Sequence, residues 1–159
     1  VPVIDASSVV HAWDNYPIEN FPKFWAWLLQ EFTAGSLLIS SVAYVEIRHV
    51  SPDCHDWLKK NSVGKVNITS VMVRHAKLMK TELGISNDKY SPKGVDENDI
   101  LIIATAKAKG TSLISNESKQ PSLPADKKQY KIPAVCALQS VSVSCLDIAE
   151  FIKQSKQVF

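Results

Sequence analysis

Four short strand-like runs, Pro2–Asp5, Leu37–Ser40, Thr111–Ser115 and Val141–Cys145, lie far apart along the chain. Between them the apolar residues recur at helical spacing. Strands alternating with helices argue for a parallel sheet covered on both faces. The pattern therefore predicts a three-layer α/β/α sandwich around a central parallel sheet of about four strands. Ligands of such sheets bind beyond the carboxyl ends of the strands.

The intervening helices carry their own punctuation. Ser7 and Ser8 are placed to cap a brief helix that ends before Pro17. Pro22 opens an amphipathic helix with Phe24, Trp27, Leu28 and Phe32, closed by Gly35. Ser41 is placed to cap a helix bearing Tyr44, Glu46 and Ile47, and Ser51-Pro52 opens another through Trp57 and Leu58. A longer helix is predicted over 70–83, with Val71, His75, Leu78, Met79 and Leu83 along one side and Gly84 as its stop. The run 99–109 is apolar nearly all round from Ile100 to Ala104, which predicts a buried helix ended by Gly110. Residues 118–133, with three prolines and four lysines, read as the longest irregular segment, and a last amphipathic helix carries Leu146, Ala149, Phe151 and Ile152.

At 159 residues, 45% hydrophobic and 21% charged, the chain has ordinary globular composition and is read as one domain over 1–159. No apolar stretch approaches the ~20 residues needed to span a bilayer, and no basic-then-apolar leader opens the sequence, so the cytoplasm is the default expectation and no membrane is implied. The three cysteines, Cys54, Cys136 and Cys145, are scattered and odd in number, which argues against a disulfide framework. A net charge of +2 neither demands nor excludes nucleic acid.

Asp5, Glu46, Asp99 and Glu117 each sit beside an apolar segment. Charged groups so near the core are costly, and a bound metal is the usual reason for them. Asp5 ends the first strand, Glu117 follows the third, and Glu46 rides the helix after the second, so all three belong to one edge of the sheet. Hard carboxylate oxygens from separate elements suit Mg²⁺ or Mn²⁺, and leave room for water and phosphate. When empty such a cluster repels itself, so at least one carboxyl pKa is expected to rise. Helix capping is the competing account of Asp5 and of Asp96 with Asp99, and pairing with Arg48 or His49 is that of Glu46.

Four stretches resemble those of PIN-domain ribonucleases, the family that includes VapC-type toxins of toxin–antitoxin systems. They are Val3-Ile4-Asp5-Ala6-Ser7-Ser8; Ser40-Ser41-Val42-Ala43-Tyr44-Val45-Glu46-Ile47; Asp99-Ile100-Leu101-Ile102-Ile103-Ala104-Thr105-Ala106; and Thr111-Ser112-Leu113-Ile114-Ser115-Asn116-Glu117. The resemblance implies a PIN-like fold and a metal-dependent endoribonuclease with Asp5, Glu46, Asp99 and Glu117 as catalytic metal ligands. Asp96 adds a further carboxylate, and Ser7, Ser115 and Asn116 support the ligands. The fourth position more often carries Asp; here Asn116 and Glu117 compete for it. The resemblance further implies an RNA substrate, a homodimer and an antitoxin partner.

Lys119, Lys127 and Lys128 are placed to meet RNA phosphates, or else belong to a solvated loop. Trp13, Tyr16, Trp25 and Trp27 could stack bases, though aromatics at this spacing more often fill a core or a dimer interface. Asp53-Cys54-His55-Asp56 resembles half a zinc site but lacks a second ligand pair. Two other functions compete: a PIN-fold interaction module without activity, and a receiver- or phosphatase-type phosphoryl-transfer domain. The latter wants a second acid two residues after the nucleophile, where this chain has Ser7.

Overall fold

The computed structural model describes residues 1–159. Its strands are only two residues long: β1 (Val3–Ile4), β2 (Leu38–Ile39), β3 (Leu113–Ile114) and β4 (Cys145–Leu146). They form one parallel sheet in the order β2-β1-β3-β4, with Val3 opposite Leu38 and Leu113, and Leu113 opposite Cys145. Eight α-helices flank it: α1 (Ala6–Asn15), α2 (Pro22–Thr33), α3 (Ser41–Val50), α4 (Pro52–Lys60), α5 (Ser70–Leu83), α6 (Glu97–Lys109), α7 (Ile132–Ala137) and α8 (Ile148–Ser155). The expected three-layer α/β/α arrangement is the one found.

Val3, Ile4, Leu113 and Ile114 are fully buried, as strands covered on both faces must be. Helix α6 lies on β1 and packs against α3, α5 and α7; Ile100, Ile102, Ile103, Ala104 and Ala106 are all buried, in keeping with its near-continuous apolar run. Elsewhere α2 meets α8 where Trp27 stacks on Phe151. Trp13, Trp25 and Trp57 pack edge-on or tilted in one cluster joining α1, α2 and α4. Trp25 and Trp27 are buried, so they belong to the core rather than to a base-stacking surface.

Several boundaries depart from the sequence reading, each for a local reason. Asp5 and Ser40, not Ser7–Ser8 and Ser41, cap α1 and α3: their side chains accept the N–H groups of Ser8 and Ala43. The buried side of α5 is Met72, Ala76, Met79 and Leu83, while Leu78 is 68% exposed and Val71 is also exposed. Two overlapping stripes satisfy helical spacing there, and packing against α6 selects the one with the methionines. Gly84 and Gly110 do end their helices, both with left-handed backbone.

The fourth strand lies later than Val141–Cys145. The Val143 N–H is taken by the Cys136 carbonyl and that of Val141 by Leu138, so this segment turns back on α7 before the ladder begins. Leu146 thereby joins the strand, and Asp147 with Glu150 forms a capping box that opens α8. Within the stretch read as irregular, α7 starts at Ile132, because Pro133 fits a first helical turn that needs no N–H.

Candidate functional site

The chain leaves β1 toward β2 on one side, while β3 lies on the other. The carboxyl ends of β1 and β3 therefore form a switch point, where a crevice opens between diverging connections. Asp5 is the first residue beyond β1 and Ser115 the first beyond β3. A cavity of about 230 Å³ opens there, lined by Asp5, Ala6, Ser7, Glu46, Asp96, Asp99, Ile102, Glu117 and Ile132. Five carboxylates from β1, α3, the start of α6 and the end of β3 thus share one small space.

Asp5 anchors this arrangement. It is only 2% exposed, and both its oxygens are held by protein donors. Ser7 Oγ and Ser115 Oγ donate to Oδ2 at 2.8 and 2.7 Å, and the Ser8 N–H donates to Oδ1 at 2.8 Å. Capping and site placement are therefore the same geometry, not rivals: the helix that Asp5 caps is the helix that aims Ser7. The Asn116 N–H in turn donates to Ser7 Oγ at 3.2 Å, and that of Glu117 to Ser115 Oγ at 3.3 Å, tying the two strand ends together.

At the start of α6, Asp96 and Asp99 form a reciprocal capping box. Asp99 N–H donates to Asp96 Oδ1 at 2.9 Å, and Asp96 N–H to Asp99 Oδ2 at 3.0 Å. Each keeps one oxygen free. Glu117 Oε2 accepts the Ile132 N–H at 2.8 Å, which also leaves one oxygen. Of the competing pair, Glu117 faces the shared cavity, whereas Asn116 lines a neighbouring one with Cys145 and Lys119. Ile132 was missed in the sequence, since nothing there signals that a helix start folds back onto residue 117.

No lysine or arginine neutralises the cluster; the lysine–carboxylate pairs lie elsewhere, at Lys80 with Asp88 and Glu97. Burial, joined at Asp99 and Glu46 by mutual repulsion, accordingly raises the pKa values of Asp99, Glu46 and Asp5. Asp99 is pushed up to about 8, by burial first and then by Asp96, Glu117 and Glu46. Glu46 rises through burial and then through Asp96, Asp5 and Glu117. Asp5 rises through burial, against the opposing hydrogen bonds of Ser115, Ser8 and Ser7.

The donor chemistry fits a hard divalent cation: oxygen-only ligands, free lone pairs on several elements and uncompensated negative charge. As the side chains stand, no three His, Cys, Asp or Glu residues converge closely enough to enclose an ion. Closing such a site takes side-chain adjustment of Glu46, Asp99 and Glu117, and each has an oxygen not engaged by the backbone.

The other sequence candidates are dispersed. Lys119 lines the cavity beside Glu117, while Lys127 and Lys128 lie on a 3₁₀ turn (Lys127–Gln129) with Asp126 as its cap. Cys54 is buried and His55 stacks edge-on to Tyr44, so neither forms a zinc-ligand array. No helix is long and apolar enough to cross a membrane.

The four-stranded parallel sheet and its helical layers make a three-layer α/β/α fold with five carboxylates at its switch point. The sequence matches, over residues 3–159, the family described as Domain of unknown function (DUF4411), and the chain belongs to that family. Among solved structures it is similar in fold to a chain of VapBC2 from Rickettsia felis, crystallised bound to a DNA fragment from its promoter. The TM-score is 0.55 at 13% identity, covering 91% of this chain and 96% of that one. No curated protein matches the sequence.

Proposed function

We propose that this chain is a Mg²⁺- or Mn²⁺-dependent endoribonuclease, the toxin of a toxin–antitoxin pair acting in the cytoplasm, with its site at Asp5, Glu46, Asp99 and Glu117. The observation that carries the reading is the convergence of five uncompensated carboxylates in one cavity at the sheet's switch point. The fold likeness to VapBC2 supports it.

In this reading the metal, when bound, orients the scissile phosphate and lowers the pKa of the attacking water. The chain's residues do the positioning. Ser7 and Ser115 hold the Asp5 carboxylate in one rotamer, and the backbone N–H groups of Asp96 and Ile132 hold Asp99 and Glu117 by one oxygen each. Asp96 supplies a further carboxylate at the mouth. Lys119, Lys127 and Lys128 meet the RNA backbone, and Asn116 steadies Ser7. A second copy of the chain and an antitoxin complete the assembly.

A PIN-fold interaction module without metal is the second reading, and it draws on the lack of a ready-made three-ligand site. Phosphoryl transfer to Asp5 is disfavoured, because a carboxylate with both oxygens engaged and 2% exposure is a poor nucleophile. The deciding experiment incubates wild type and Asp5→Asn with a panel of structured and single-stranded RNAs in Mg²⁺, Mn²⁺ or EDTA. Metal-dependent cleavage lost in the variant supports the nuclease. Absence of both cleavage and metal binding sinks it and leaves the interaction module.

A further inference from the structure

Two of the three thiols lie on elements packed together beside the carboxylate cavity and have no part in it. Cys136 lies on α7, where it is 1% exposed; Cys145 opens β4 and is half-buried. Helix α7 packs against β4, and the Val143 N–H reaches the Cys136 carbonyl at 3.0 Å, which draws the two segments together. The two thiols perturb each other: Cys136 holds the Cys145 thiol below its ordinary pKa, helped by Lys119, while Cys145 and burial push that of Cys136 up. Cys145 also lines two surface cavities of about 450 Å³ each, so a small oxidant reaches it from solvent. Cys54 is buried on α4.

We propose that Cys136 and Cys145 form a reversible intramolecular disulfide, a modification site for a peroxide oxidant that enters by the cavity neighbouring the candidate site. The pairing follows from one reachable thiol on β4 and a second, shielded thiol on the helix packed against that strand. The accessible Cys145 sulfur attacks the O–O bond and becomes a sulfenic acid, releasing water after protonation. The Cys136 sulfur then displaces the hydroxyl as a second water and closes the S–S bond. Both electrons lost by the thiols go to the peroxide. A thiol reductant reverses the step.

The bond joins the carboxyl end of α7 to β4. The other end of α7 is Ile132, which lines the carboxylate cavity and whose N–H is held by Glu117. Oxidation therefore clamps the helix that braces one candidate ligand. The inference stands whether or not the cavity cuts RNA, since it concerns thiols only.

The test treats the full chain, as wild type and as Cys54→Ala, with one equivalent of hydrogen peroxide. Intact mass and alkylation of the unfolded product are then read, beside a non-reducing gel. The expected result is a monomer lighter by two hydrogens, with two thiols lost in both proteins and restored by dithiothreitol. Cys54 stays alkylatable in wild type, and Cys145→Ser abolishes the loss. The oxidised melting midpoint should rise by roughly 5 °C. Retention of both thiols, oxygen addition without an S–S bond, linkage only between two chains, or loss that persists in Cys145→Ser would each overturn the proposal.

Discussion

Asp5 does two jobs with one carboxylate: it ends a buried strand and caps the helix that follows. Its hydrogen bonds to Ser7, Ser8 and Ser115 explain how a 2%-exposed acid is tolerated at all. Under the proposed function, Asp5→Asn lowers metal-dependent cleavage by at least about 100-fold, measured on a cleaved RNA, while far-ultraviolet circular dichroism stays unchanged. Asp99 carries the pH dependence. Its ordinary carboxyl pKa of 3.8 applies to the unfolded chain, and folding raises it to about 8. Between those values the folded protein holds a proton that the unfolded chain has released. The resulting stability is fully present below the unfolded pKa and is lost as pH rises through the folded one. Metal-free protein should therefore melt lower at pH 9 than at pH 5 (both rough choices bracketing this window), with the slope reduced in Asp99→Asn. A flat or inverted profile in wild type would contradict the repulsion described. Adding Mn²⁺ near neutrality should release protons, seen by calorimetry in buffers of differing ionisation enthalpy.

The start of α6 depends on an element that the chain brings from far away. Gly94 approaches the turn at Lys127–Gln129 so closely that a Cβ there would lie 2.0 Å from the Lys128 carbonyl oxygen, and the next residue, Val95, donates its N–H to Tyr130. Backbone rather than a flexible side chain blocks the space, so Gly94→Ala should destabilise by about 1–3 kcal/mol, read as a lower urea midpoint at unchanged slope. Wild-type stability in this variant would mean that the two loops part easily. The capping box of α8 offers a milder comparison: Asp147→Ala should cost about 1 kcal/mol by the same measurement. At this scale the helices were legible, α5 to its end residues, because capping and left-handed glycine signals are local. The short strand β4 and helix α7 were not. The backbone hydrogen bonds from Val141 and Val143 to α7 that delay the strand are set by the packed ends of the segment.

At the scale of the whole molecule, five acids share one cavity, Lys119 lines the adjoining one with Glu117, and Lys127 is exposed on the 3₁₀ turn. If these lysines meet RNA phosphates, replacing Lys119, Lys127 and Lys128 together by alanine should weaken RNA binding across sequences and flatten its salt dependence, as read by titration at several ionic strengths. An unchanged slope would assign the lysines to a solvated loop. By itself the sequence determined the α/β class and the buried strands β1 and β3, because periodicity and short apolar runs are local signals. The tertiary structure alone decided that β1 stands between β2 and β3, which creates the switch point. It also decided that Glu117 rather than Asn116 enters the cavity with Asp96, and that Ile132 folds back to brace it. Strand order and loop return are set by packing over the whole sheet, and no stretch of sequence carries that information in its own residues.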